Sequence, residues 1–162
     1  MARAIKYIIL HETATPDGRP HTAVDVDAWH RERGFMRSPQ AIHEFNSSLP
    51  CIGYHYVIRL DGGVEPGRAE KEIPAACAGF NLSSINVCLV GGGRYTLAQW
   101  STLRALVNDL QGRYPDASVR GHNEFATAKG KTCPGFSVQD WLALGMVAMD
   151  DHVLPATEIG KT

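Results

Sequence analysis

The sequence predicts an α/β fold: a single domain with a central mixed β-sheet flanked by helices. Three observations carry this. Short apolar, β-branched segments at Ala4–Leu10, Tyr54–Leu60 and Ile85–Val90 alternate along the chain with segments of helical period. Asp61-Gly62-Gly63 is a hairpin turn signal, so at least one strand pair is antiparallel. The length of 162 residues fits one domain and is enough to bury a core without staples.

Taken in order, Ala4–Leu10 reads as a buried strand that stops on His11. Glu12–Arg19 holds Thr, Pro, Asp and Gly and reads as a loop. Thr22 with Asp25 forms a variant capping box; Val26, Trp29 and Arg33 then share a helical face, and Gly34 ends the helix. Phe35–Ile52 is irregular, with one short helical turn at Ala41–Phe45. Tyr54–Leu60 is a strand, Asp61–Gly63 the turn, and Val64-Glu65 the return. Ile85–Val90 is an apolar strand closed by Gly91–Gly93, a turn that lacks the Lys and Ser/Thr of a phosphate loop. Thr96 and Gln99 make a capping box for a helix bearing Leu97, Trp100, Leu103, Leu106, Val107 and Leu110, which Pro115 stops. Ala117–Arg120 is a short strand leading to His122, and Ser137 caps a last helix with Val138, Trp141, Leu142 and Leu144. The domain is expected over residues 1–149, with a frayed polar tail over 150–162.

A net charge of −1 with scattered basic residues gives no footprint for nucleic acid or an anionic membrane. No apolar run is long enough to span a bilayer, and Ile5–Leu10, broken by Lys6, is too short for a signal core. Cys51, Cys77, Cys88 and Cys133 read as reduced thiols, since Cys88 lies in a strand and Cys133 has a better use. The chain is therefore expected to be made in a cytoplasm, as a monomer.

That use is a metal site. His11 at a strand end, His122 in Gly121–Glu124, and Cys133 in Lys131–Phe136 offer two imidazoles and a thiolate. Three such ligands, with water in a fourth position, describe a hydrolytic zinc centre, because structural zinc sites are usually closed by four protein ligands. Hydrolysis also needs a donor for the oxygen that gains charge. Lys131 can supply a cation and Tyr54 a hydroxyl. Each residue alone has a plainer reading: a hydrogen-bonded core histidine, a buried inert thiol, a solvated lysine, a core tyrosine. Glu124 reads as a general base or, better, a capping or salt-bridging group. His21, His30, His43 and His152 read as surface or structural.

These pieces occur in an order that resembles the type-2 N-acetylmuramoyl-L-alanine amidases, the family of phage zinc amidase endolysins and peptidoglycan recognition proteins. The likeness runs from about Ile5 to Trp141, through Ile8–His11, Trp29–Phe35, Ile52–Ile58, Asp61-Gly62, Glu65–Arg68, Asn81, Ser84–Gly91, Gly121–Glu124 and Lys131–Phe136. The resemblance implies zinc on His11, His122 and Cys133, and assistance from Tyr54 and Lys131. It implies a surface groove holding the zinc, and cleavage of the amide between the lactyl group of N-acetylmuramic acid and L-alanine in peptidoglycan. It further implies an endolysin that reaches the wall after release by another factor. Two features depart from the family pattern. Many relatives have a His-Ala pair before a Gly-aromatic-Asn segment, where this chain reads Ala76-Cys77-Ala78-Gly79-Phe80-Asn81 without that His, and Arg37–Cys51 is longer than the link in compact phage enzymes, which suggests a wall of the groove.

The rivals are a host enzyme recycling soluble muropeptides, an antibacterial effector amidase, and a non-catalytic module that binds peptidoglycan or regulates a protein partner. A purely structural zinc is a further reading, and it needs His55 or Glu124 as a fourth ligand.

Overall fold

The computed structural model describes residues 2–128 and 130–160. Five strands form one sheet: β1 (Tyr7–Glu12), β2 (Tyr56–Ile58), β3 (Val64–Pro66), β4 (Ser84–Leu89) and β5 (Ser118–Gly121), in the order β3-β2-β4-β1-β5. β1 lies parallel between β4 and β5, β2 lies parallel to β4, and β2 and β3 form the antiparallel hairpin. The sheet is mixed, as the sequence predicts. β1 runs one turn of the pleat past His11, because Glu12 still pairs with Leu89.

The described residues form four α-helices: α1 (Ala23–Glu32), α2 (Pro39–Glu44), α3 (Leu97–Arg113) and α4 (Val138–Ala143). Strand alternation divides the core. Ile8, Leu10, Ile85, Val87, Leu89 and Val119 face α3 and α4, where they meet Trp100, Leu103, Val107, Leu110 and Trp141. On the other face Val57, Cys88 and Val90 pack on Ala23 and Val26 of α1. The α3 capping box forms in both directions, with Gln99 N–H on the Thr96 hydroxyl and Thr96 N–H on the Gln99 carboxamide, each at 3.0 Å. Leu97 is the exception on that helix: as its first residue it points outward and is 66% exposed.

Two expectations are corrected. The frayed tail is not observed over residues 150–160. Tyr95 and the tail exchange backbone bonds through His152 and Leu154 at 2.8 Å, Gly160 N–H donates to Gly18 at 2.7 Å, and Leu154 is 2% exposed. One leucine in a polar stretch fills a gap between Val90 and α1 (an event that leaves no periodicity to read). Leu154→Ala is expected to cost about 2–5 kcal/mol in urea denaturation; an unchanged midpoint would mean that the tail contributes nothing.

The second correction concerns Arg37–Cys51. The segment holds α2, whose start is earlier than expected because Ser38 caps it and Pro39 takes the first turn. It packs outward on Pro66, Gly67 and Lys71 rather than along the groove.

Candidate active site

The C-terminal ends of β1 and β5 open into a groove of about 670 Å³. His11, next to last in β1, is 1% exposed and shares a sheet face with Ile9. His122 follows β5 directly, at the start of a single 3-10 turn, His122–Glu124. Their rings lie 4.6 Å apart, centroid to centroid. Cys133 arrives on the loop before α4, fastened by Asn123 N–H on its carbonyl at 2.8 Å. Its Sγ accepts the backbone N–H of Glu12 at 3.1 Å. Tyr95 secures the next residue by donating its hydroxyl to the Pro134 carbonyl.

One donor atom from each of His11, His122 and Cys133 lies within 4.8 Å of the others. Tetrahedral zinc with ordinary Zn–N and Zn–S bonds sets its ligands about 3.3–3.6 Å apart, so the set needs only a small inward adjustment. It is also the only such group of three among the described residues. Burial and then the neighbouring His122 push the pKa of His11 down to about 3. His122 is lowered too, by burial and by the charge of Lys131. Both imidazoles are therefore neutral at neutral pH, with a lone pair to give. Burial pushes the Cys133 thiol up to about 12, against the Glu12 N–H that favours thiolate. A dication at that position would reverse this.

The two candidate fourth ligands are otherwise engaged. His55 Nδ1 accepts the Asn86 backbone N–H at 3.0 Å, and its Nε2 lies 3.0 Å from the Glu72 carbonyl. Glu124 caps Gly121 and holds Gln139 at 3.0 Å. The same bonds account for Glu124 as a capping group and leave its carboxylate committed away from the groove.

Tyr54 and Lys131 both line the groove. The Tyr54 ring sits 5.0 Å from that of His11 and 5.1 Å from that of His30. Burial, then the adjacent Cys88 and Cys133, raises the phenol well above its ordinary value, so it keeps its proton and can donate. Lys131 is exposed at the rim, close enough for its charge to lower both histidines.

Other groove residues come from α1 and its exit, His30, Arg33 and Phe35, and from Ala75–Cys77 opposite. His30 is buried, and its Nδ1 accepts Gly53 N–H at 2.8 Å. His21 bonds Asp25 and His152 the Gly93 carbonyl. Ala76-Cys77 forms part of the groove wall. The Asn81 carboxamide fastens it by accepting Ala76 N–H at 3.0 Å and Cys77 N–H at 2.8 Å.

One residue escaped sequence reasoning. Asn86, in the middle of β4, accepts from His11 Nε2 at 2.7 Å through Oδ1. The available signal was a carboxamide inside an otherwise apolar strand.

The family described as N-acetylmuramoyl-L-alanine amidase matches residues 1–136. The endolysin of Enterobacteria phage K11 is 31% identical over 151 residues, covering 88% of this chain and 89% of its own. The endolysin of Escherichia phage T7 is 33% identical over 142 residues, covering 83% of each. Among solved structures, the N-acetylmuramoyl-L-alanine amidase LysC from Clostridium intestinale superposes with a TM-score of 0.69 over 90% of this chain and 88% of that one. At 23% identity that likeness speaks for the fold.

Proposed function

The chain belongs to the N-acetylmuramoyl-L-alanine amidase family, and from that premise we propose that it is a zinc-dependent endolysin. Its substrate on this reading is the peptidoglycan amide joining the lactyl group of N-acetylmuramic acid to L-alanine. The carrying observation is the convergence of His11, His122 and Cys133, within 4.8 Å of one another, beside a groove lined by His122, Cys133, Tyr54 and Lys131.

Each side chain then has a task. His11, His122 and Cys133 hold the ion. The chemistry that zinc supplies when bound by such a set is Lewis acidity, which polarises a carbonyl and acidifies water. Tyr54 keeps its proton and donates a hydrogen bond to the amide oxygen as that oxygen gains charge. Lys131 offers a cation to the same developing charge. The groove of about 670 Å³ is the place offered to the glycan strand and its stem peptide. No helix among the described residues is long and apolar enough to cross a membrane. Access to the wall is assigned to a separate factor that opens the membrane.

Purified Gram-negative sacculi provide the test. Release of stem peptides beginning at L-alanine, identified by mass spectrometry, should be lost with a chelator and restored by zinc. Cleavage of whole sacculi in preference to soluble muropeptides supports an endolysin; the reverse preference would move the reading to a recycling enzyme. Lys131→Met and Tyr54→Phe should each lower kcat about 100-fold or more while zinc content stays at wild-type level. A full rate in either variant removes that residue from the reaction.

A further inference from the structure

Buried carboxamides in sheet interiors need a reason, because an amide left unpaired there loses its hydrogen bonds to water without replacement. Asn86 is 0% exposed, in a strand whose six residues are all buried. Every hydrogen-bonding group it carries toward its neighbours is used. Its Oδ1 meets His11 Nε2 at 2.7 Å, and its Nδ2 donates to the Ser84 hydroxyl at 2.8 Å. Its backbone N–H donates to His55 Nδ1 at 3.0 Å, while its carbonyl accepts His55 N–H at 3.1 Å. His55 is anchored in turn, with Nε2 lying 3.0 Å from the Glu72 carbonyl.

One asparagine thus stands between two histidines. Its main chain is gripped by His55, and its side chain is left with one orientation, toward His11. In the structure the Ser84 hydroxyl lies on the Nδ2 side and Oδ1 faces the imidazole. A carbonyl oxygen only accepts, so the facing nitrogen of His11 must carry the ring proton. The other nitrogen, Nδ1, then has the free lone pair, and a metal can take nothing else from a neutral imidazole.

We propose that Asn86 is a positioning residue of the metal centre, holding His11 as the Nε2–H tautomer with Nδ1 turned to the ion that His122 and Cys133 share. This rests on the zinc reading above. It places a neutral amide where metal-binding histidines commonly find a carboxylate or a backbone carbonyl.

Two variants and one spectroscopic measurement test it. Asn86→Leu keeps the volume and removes the acceptor; Asn86→Asp keeps the acceptor. In chelator competition, N86L should bind zinc about 10–100-fold more weakly than wild type, the usual cost of an outer-shell partner, and N86D should recover the affinity. Equal zinc affinity in folded N86L and wild type overturns the proposal. Should N86L fail to fold, the wild-type protein decides alone. Long-range proton–nitrogen correlation of the His11 ring, with and without zinc, should show Nε2 protonated. An Nδ1–H ring overturns the assignment. A wild-type chain that holds no zinc overturns the metal reading itself, an outcome distinct from equal affinities.

Discussion

Cys133→Ser is expected to empty the metal centre and abolish amide cleavage. A serine hydroxyl stays protonated near neutral pH and is a poor zinc ligand, whereas a thiolate is a strong one. The loss should exceed the roughly 10–100-fold that an outer-shell change costs, because an inner ligand is gone. Zinc content after dialysis and release of stem peptides from sacculi are the readouts. A serine variant that keeps both zinc and rate would falsify the ligand role of Cys133. The same residue should make zinc binding depend on pH. Burial holds the metal-free thiol at about 12, while His11 has already lost its proton above about pH 3. Binding near neutrality therefore expels one proton, from the thiol, and apparent affinity should rise as pH rises. A flat affinity between mildly acidic and mildly basic pH would contradict this.

Arg37→Met should be the most destabilising single change outside the metal centre. The Arg37 side chain is 0% exposed and Glu72, its partner at 2.8 Å, is 10% exposed. The guanidinium also donates to the carbonyls of Ala41, Phe45, Asn46 and Leu49. It thereby closes the C-terminal end of α2 and ties the whole Arg37–Cys51 segment to the chain after β3. Methionine fills much of the volume but leaves a buried carboxylate and four carbonyls short of a donor. Breaking one side of a buried pair costs about 3–5 kcal/mol. Urea unfolding would measure it; a change within about 0.5 kcal/mol, the range of ordinary surface substitutions, would sink the argument.

The pair also gives a pH signature. Burial works to raise the Glu72 carboxyl, but hydrogen bonds from Arg37 and Ala69 N–H prevail and hold it below its ordinary 4.5. A carboxyl depressed in the folded state stabilises above its unfolded value, and that stability is lost as pH falls through the folded value. Wild type should lose this contribution on acidification below about 4.5, and Arg37→Met should lack that part of the slope.

The candidate metal ligands illustrate what a linear sequence can carry. His11 ends an apolar strand and Cys133 sits in a Cys-Pro-Gly-Phe turn, both local patterns, and their spacing along the chain had no metal-finger signature to join them. It was the resemblance of the whole ordered set that joined them. Parallel pairing of β1 with β5 then brings the ends of both strands to one edge. Asn86 was passed over because its partner lies 75 residues away, and nothing within β4 distinguishes an amide that positions a histidine from one that interrupts a core.

By itself the sequence determined the mixed α/β class, the capped α3 helix and the β2–β3 hairpin. These follow from short-range physics: side-chain period, capping and turn chemistry act within a few residues. Only the tertiary structure decided that Leu154 draws the tail onto the body and that Arg37 turns the long insertion away from the groove. It also decided that His55 and Glu124 are committed elsewhere. Those outcomes depend on which buried polar group finds a partner and which gap needs filling, and both are set by residues that meet only when the sheet has formed.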